Sequence, residues 1–220
     1  MTGPVPVESA ALVAAFNKAM RSFDLETATH MQRVGHLARG LGATIGMSDD
    51  DLDTLGLAGM LHDIGKLGIS QGVLQKNGPL GAEEWDLVKR HSAVGANMLL
   101  ALSSEYAPAA AAVRSHHERW DGSGYPDGLA GEDVPLTGRV LAIADVYDTL
   151  TNTRPYRSRV ATHEEALVFV AERAGTAFDP QVVIALLDAT RPPDWSVIDV
   201  IKDLRRQSSA HLPRTSQVVC

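Results

Sequence analysis

Two adjacent histidines open the most informative stretch of this 220-residue sequence. His116 and His117 begin the segment His-His-Glu-Arg-Trp-Asp-Gly-Ser-Gly-Tyr-Pro, which ends at Pro126. Adjacent imidazoles before a glycine-rich loop suit metal binding, because the neutral imidazole ring is a common metal ligand. A second pair, His62-Asp63, stands upstream among apolar residues. Together the two pairs could hold a cluster of metal ions that cleaves a phosphodiester.

Eight side chains form the candidate ligand set, and all are imidazoles or carboxylates. They are Glu26, His30, His62, Asp63, His91, His116, His117 and Asp145. Each alone has an ordinary alternative, since a histidine at a helix end can cap the helix and an aspartate can serve as an N-cap. Jointly they favour a metal, because neighbouring imidazoles are costly to bury without partners. A set without thiolates favours iron, manganese or a similar divalent ion over structural zinc.

The elements that must position these ligands are predicted to be helices. Hydrophobic residues form 45% of the sequence and aromatic residues only 5%, with a tilt toward Ala and Leu that favours an all-helical fold. Apolar periodicity and capping residues predict a series of helices. Their approximate bounds are 8–23, 26–45, 48–65, 82–91 and onward to 102, 107–118, 138–152, 162–174 and a last helix from 179. The glycine-rich loop 120–137 is long for a compact domain, which is typical of functional loops.

Composition and charge limit the class of protein. The net charge of −7 and the scattered basic residues argue against nucleic-acid binding. The single cysteine, Cys220, excludes a disulfide framework. No apolar run approaches the roughly 18 residues of a membrane span, so we expect a cytoplasmic protein with no membrane contact. We expect a flexible N-terminus over residues 1–9, one domain over 10–189, and a tail over 190–220 with a short amphipathic helix and a disordered end.

Several motifs taken together resemble the HD-GYP family of HD phosphohydrolases. They are Leu61-His62-Asp63-Ile64-Gly65-Lys66, the downstream His91, the His116-to-Pro126 segment with Gly124-Tyr125-Pro126, and the helix that carries Ala144-Asp145. The resemblance covers about residues 10–189 and is far more specific than a His-Asp dipeptide. It implies an all-α, compact helical bundle of the HD-domain type with a C-terminal helical extension.

The resemblance also implies an activity. Members of the family hydrolyse the bacterial second messenger cyclic di-GMP to pGpG or GMP, by attack of a hydroxide that bridges metal ions. Two alternatives stay open. The chain could be a phosphodiesterase for another cyclic dinucleotide, such as cyclic GMP-AMP, or a catalytically quiet cyclic di-GMP sensor or interaction module.

The roles of the metal ligands follow from the resemblance position by position. His62 and Asp63 resemble the central ligands, with Asp63 as the bridge between ions. His91, His116 and His117 would hold one ion, and His30 with Asp145 would complete the others. A glutamate four residues before His30 is found in family members with three ions, so Glu26 favours a trinuclear over a dinuclear site, with iron or manganese as the metal.

The remaining site residues are expected to contact the substrate or a partner. Asp63 and Lys66 would be the catalytic residues, with the Lys66 ammonium offsetting charge on the scissile phosphate. Arg154 and Arg157 resemble the basic residues that hold the ligand's phosphates. Tyr125 would either contact the nucleotide or shape its loop. The Gly-Tyr-Pro loop also implies docking of a diguanylate cyclase or other signalling partner, and the N-terminal helix suggests a homodimer.

Overall fold

The computed structural model describes residues 7–76, 78–152 and 159–190. In this part of the chain the regular structure is helical, apart from one isolated β-bridge between Ala174 and Phe178, which confirms the all-α prediction. None of the described helices is both long enough and apolar enough to cross a membrane. The helices are α1 (Val7–Phe23), α2 (Leu25–Thr44), α3 (Asp49–Leu61), α4 (Gln71–Leu74), α5 (Ala82–Lys89), α6 (His91–Leu102), α7 (Ala107–Ser115), α8 (Leu136–Thr151), α9 (His163–Ala171) and α10 (Pro180–Thr190).

Local capping explains where several helices begin. The Asp24 carboxylate accepts the backbone N–H groups of Glu26 and Thr27 at the start of α2, at 2.9 and 3.1 Å. The Ser48 hydroxyl caps α3, as the sequence predicts. The predicted capping box at the start of α9 is also confirmed, with Thr162 and Glu165 bonding to each other's main chain. Such caps satisfy N–H groups that have no partner inside the helix.

Two helices end earlier than predicted. Helix α3 ends at Leu61 rather than near Gly65, and a 3-10 turn over Ile64–Gly68 follows it. Helix α7 ends at Ser115 rather than at Glu118. In both cases a histidine stands immediately after the helix and turns its ring back to a carbonyl of the last turn. The predicted ligands His62 and His116 therefore lie just after helix termini, where the chain direction changes, and not inside continuous helices. Short 3-10 turns over Ser104–Tyr106 and Gly131–Asp133 and the four-residue α4 were not predicted.

The core is formed where α2 packs between α3 and α8. Val34, Leu61 and Leu141 are fully buried there, in one apolar cluster. Helices α2 and α3 cross closely at two glycines, since a Cβ on Gly59 would lie 2.6 Å from the Cα of Gly35. Such close backbone approach is available only to glycine. This crossing brings the end of α3 against α2, where two of the predicted ligands stand.

Some sequence predictions fall outside the described residues. The predicted N-terminal segment is described only from Val7, where α1 begins. Arg154 and Arg157 lie outside the described part of the chain, as does all of the predicted tail after Thr190. The described residues do not test these predictions.

Candidate metal centre

Seven of the eight predicted ligands lie in one cluster. Their ligand atoms form three overlapping groups, and within each group the atoms lie within 4.8 Å of one another. The groups are His91, His116 and His117; His30, His62 and Asp63; and His62, His116 and Asp145. Because His62 and His116 each belong to two of these groups, the cluster is continuous. Its members lie at or next to the ends of α3, α6 and α7, in the second turn of α2 and within α8.

Three of the histidines are held in the same way. The Nδ1 atoms of His62, His91 and His116 contact the main-chain carbonyl three residues earlier, at 2.9, 2.6 and 2.6 Å. A carbonyl can only accept, so this contact selects the tautomer in which Nδ1 carries the proton. The lone pair is then on Nε2, and the Nε2 atoms of His91 and His116 are 3.4 Å apart. The fold thus directs three unprotonated ring nitrogens into the cluster.

Burial keeps these rings neutral. Desolvation lowers the pKa of His91 to about 4 and that of His116 to about 3, although nearby carboxylates act in the opposite direction. The pKa values of His62 and His117 are lowered for the same reason. A neutral imidazole is the form that binds a metal ion, so the ligands are ready at neutral pH.

His30 lies between two buried carboxylates. Its Nε2 is 2.9 Å from Asp145 Oδ1, and its Nδ1 is 2.7 Å from Asp148 Oδ2. Arg33 donates to both oxygens of Asp148, from Nε at 2.7 Å and from Nη2 at 2.8 Å. The sequence prediction did not include Asp148 among the site residues. Its spacing was the available signal, because a residue three positions after Asp145 lies on the same face of a helix.

Asp63 lies at the centre of the cluster and is ion-paired with Lys66. The Lys66 Nζ is 2.7 Å from Asp63 Oδ2, and His91 Nε2 is 3.4 Å from Asp63 Oδ1. Burial would raise the pKa of Asp63, but the Lys66 ammonium and the surrounding imidazoles hold this pKa well below its ordinary value. Burial would also raise the pKa of Asp145, but this pKa is likewise lowered, because the contact with His30 and the nearby imidazoles outweigh burial. Both carboxylates are therefore charged and can act as anionic ligands.

The donor set fits divalent cations. His62 Nε2 and Asp63 Oδ1 are buried atoms with no hydrogen-bond partner within the described ranges. Buried polar atoms without partners are costly, and a cation shared by these atoms would remove that cost. Mixed imidazole and carboxylate donors match the preferences of iron and manganese. Glu26 is half-buried in the first turn of α2, one turn before His30, and belongs to none of the three groups.

The glycine-rich loop is held in place by Glu118, which the sequence prediction also missed. This carboxylate is buried and accepts three successive backbone N–H groups, those of Asp127, Gly128 and Leu129, at 2.7, 3.1 and 3.1 Å. The loop also returns to the histidine pair, because the Tyr125 N–H donates to the His117 carbonyl at 3.2 Å. The rings of Tyr125 and His117 are 4.7 Å apart. The loop is thereby fixed beside a candidate metal ligand.

Gly65 allows two ligand-bearing segments to meet. A Cβ at this position would lie 2.0 Å from the His91 carbonyl oxygen and 2.7 Å from the Gly95 nitrogen, both of them main-chain atoms. Only a residue without a side chain fits here. The 3-10 turn after Asp63 therefore rests directly on the start of α6, which carries His91.

Sequence comparison gives relatives for most of the chain. Residues 17–182 match the HD domain family. The cyclic di-GMP phosphodiesterase response regulator RpfG of Xanthomonas campestris is 38% identical over 77% of this chain and 45% of its own length. A cyclic di-GMP phosphodiesterase of Thermotoga maritima is 35% identical, over 86% of this chain and 50% of its own. The 3'3'-cGAMP-specific phosphodiesterase 3 of Vibrio cholerae is 37% identical over 81% of this chain and 38% of its own length. The chain thus spans half or less of the length of these relatives.

Solved structures with a similar fold include two bacterial proteins. The crystal structure of the cyclic GMP-AMP phosphodiesterase V-cGAP3 of Vibrio cholerae superposes with a TM-score of 0.58 at 21% identity, covering 80% of this chain and 48% of the other. The Bd1817 protein of Bdellovibrio bacteriovorus gives a TM-score of 0.60 at 20% identity, covering 85% and 65%. At these identities the likeness concerns the fold.

Proposed function

This chain belongs to the HD-GYP family of HD-domain phosphohydrolases, and we propose that it is a metal-dependent phosphodiesterase that hydrolyses cyclic di-GMP to pGpG or GMP. The observation that carries the proposal is the buried cluster of five histidines and two aspartates at helix ends and on facing helices. Two relatives named as cyclic di-GMP phosphodiesterases are 35 and 38% identical to this chain, which supports the choice of substrate.

The centre binds divalent metal, and we propose three iron or manganese ions rather than two. The number depends on Glu26, which is one helical turn from His30 and could serve an ion at that end of the cluster. Metal analysis of protein purified under low oxygen tests this point. Three equivalents in the wild type and two in Glu26→Gln are expected, whereas two equivalents in both would refute the trinuclear proposal.

The side chains around the cluster have distinct roles in the proposed reaction. The ions, when bound, supply Lewis acidity and an activated water for attack on phosphorus. Lys66 holds its ammonium 2.7 Å from Asp63 Oδ2, where it can donate a hydrogen bond to a phosphate oxygen and offset negative charge that develops there. Arg154 and Arg157, outside the described residues, are proposed to hold the substrate phosphates. Tyr125, beside His117, is proposed to contact the nucleotide.

A direct assay tests the function. Metal-free protein reloaded with Fe(II) or Mn(II) under low oxygen is incubated with cyclic di-GMP, and the products are separated by chromatography. We expect pGpG or GMP, and a loss of kcat on the order of 10²-fold in Lys66→Gln, because removal of one charge-stabilising donor has this size of effect. Lys76→Gln is the matched control, since Lys76 pairs with Glu84 in an exposed position. Absence of turnover with every metal would refute the proposal.

A second substrate is supported by a specific comparison. Vibrio cholerae proteins named 3'3'-cGAMP-specific phosphodiesterases are 35 to 37% identical to this chain, the same range as the cyclic di-GMP relatives. Hydrolysis of both dinucleotides at equal concentration, compared by kcat/KM, decides between them. A higher value for 3'3'-cGAMP would make it the substrate. Binding of either dinucleotide without turnover, unchanged in Asp63→Ala, would instead support a catalytically quiet sensor.

Partners are proposed at two surfaces. The Gly-Tyr-Pro loop exposes Pro126 and Asp127 next to the site, where a diguanylate cyclase or other signalling protein could dock. Helix α1 is the proposed contact of a homodimer. Light scattering of the purified protein tests the dimer, and a single species at 23.5 kDa would refute it.

A further inference from the structure

Asp148 is a fully buried carboxylate that contacts a candidate metal ligand without being one of the predicted ligands. The geometry points to Asp148 as the positioning residue of His30, and through His30 as the residue that sets the affinity of one metal ion and not of the whole cluster. This inference rests on the proposed metal centre. It does not depend on which dinucleotide is the substrate.

The contacts of Asp148 fix its carboxylate completely. Oδ2 lies 2.7 Å from His30 Nδ1 and accepts from Arg33 Nη2 at 2.8 Å. Oδ1 accepts from Arg33 Nε at 2.7 Å and from Asn152 Nδ2 at 3.0 Å. A bidentate arginine holds both the plane and the charge of a carboxylate. Asp148 is therefore a rigid, charged acceptor directed at one imidazole.

His30 differs from His62, His91 and His116 in the charge of the group that its Nδ1 contacts. The Nδ1 atoms of His62, His91 and His116 contact neutral main-chain carbonyls, whereas that of His30 contacts an aspartate. A carboxylate that accepts from the outer ring nitrogen fixes the ring orientation and makes the other nitrogen a stronger donor to a metal. The other nitrogen of His30 is 2.9 Å from Asp145 Oδ1, inside the cluster. Asp148 thus strengthens the donor at this end alone.

The effect is confined by the layout of the cluster. The group formed by His91, His116 and His117 has no member in contact with Asp148, and its rings are held at the ends of α5 and α7. Asp148 acts across the packing of α2 against α8, where Arg33 and His30 stand one turn apart. An ion bound by His91, His116 and His117 should therefore be insensitive to Asp148.

A metal titration without substrate tests the inference. Metal-free protein is titrated with Mn(II), and free Mn(II) is measured by electron paramagnetic resonance. In Asp148→Asn the amide oxygen can still accept from His30, but the charge is lost. We expect one class of site to bind Mn(II) about 10 to 100-fold more weakly, the size found when such partners are removed, with the remaining sites at wild-type affinity.

Two further variants make the result decisive. Asp53→Asn removes a partly exposed ion pair between Asp53 on α3 and Arg39 on α2, and should bind Mn(II) as the wild type does. Arg33→Gln removes the clamp on Asp148 from a side chain that is 35% exposed, so this variant should fold even if Asp148→Asn does not, and the same class of site should weaken. Thermal unfolding of each metal-free variant reports folding.

The inference is overturned if Asp148→Asn and Arg33→Gln bind Mn(II) as the wild type does, or if all sites weaken equally, which would indicate a general structural role. Selective weakening supports it even in a protein that hydrolyses neither dinucleotide. In that outcome the proposed function fails and the role of Asp148 stands.

Discussion

The substitution Gly65→Ala should move two predicted metal ligands, Asp63 and His91, away from each other. The new Cβ would lie 2.0 Å from the His91 carbonyl oxygen, and Cβ atoms in proteins essentially never approach another atom below 3.0 Å. The 3-10 turn and the start of α6 must therefore move apart by about 1 Å, because the atoms in conflict are main chain and cannot rotate away. Asp63 directly precedes the 3-10 turn and His91 begins α6, so the two ligands move apart with these segments.

Two magnitudes follow from that displacement. Overpacking of a tight interior contact costs about 1–3 kcal/mol in the free energy of unfolding. For a chain of this size each kcal/mol lowers Tm by about 2–4 °C. A misplacement of about 1 Å in a catalytic constellation can lower the rate on the order of 10²-fold. We therefore expect a modestly less stable protein with a much larger loss of metal affinity and of turnover.

Gly68→Ala is the matched control on the same 3-10 turn. Its new Cβ would meet only the Val94 side chain, at an ordinary 3.9 Å. Thermal unfolding and Mn(II) titration of both variants check the reasoning. If Gly65→Ala unfolds and binds Mn(II) as Gly68→Ala does, the close approach does not set the spacing of the ligands and the argument is refuted.

Two further predictions concern pH and the loop. Because burial lowers the pKa of His91 to about 4 and that of His116 to about 3, below the value of 6.5 in an unfolded chain, the unfolded state binds more protons in this window. The free energy of unfolding of the metal-free protein should thus be highest above pH 6.5 and should decrease as the pH is lowered toward 3. Urea denaturation that gives a constant free energy of unfolding over this pH range would contradict this prediction. Glu118→Gln should speed hydrogen exchange at the three loop amides that follow Pro126, since a charged acceptor of three N–H groups is lost. Exposed Glu105→Gln is the control, and unchanged exchange in both would show that Glu118 does not hold the loop.

Local signals in the sequence predicted part of this structure. Ser48 and the Thr162–Glu165 pair act within one helical turn, so their effect could be read directly from spacing. The identity of the metal-centre residues also came from the sequence, because the histidines and aspartates stand in a recognisable order. Seven of them do meet, although their role as ligands stays a prediction.

Contacts between distant segments could not be predicted. Asp148 and His30 are 118 residues apart, and nothing in the spacing within α8 shows which ring Asp148 faces. The early ends of α3 and α7 depend on a ring nitrogen that bonds to a last-turn carbonyl, a choice that competes with continued helix. The tight contact of Gly65 with His91 exists only once α6 has packed.

The histidines that stop α3 and α7 have a thermodynamic consequence for ion capture. Each ring is fixed by its own helix end, so its rotational freedom is lost when the protein folds and not when an ion arrives. Binding then proceeds with little loss of side-chain entropy, as in other preorganised sites. The same arrangement makes the site vulnerable, because fraying of a single helix terminus would release a ligand. Metal retention should therefore report on the integrity of helix ends well before the whole domain unfolds.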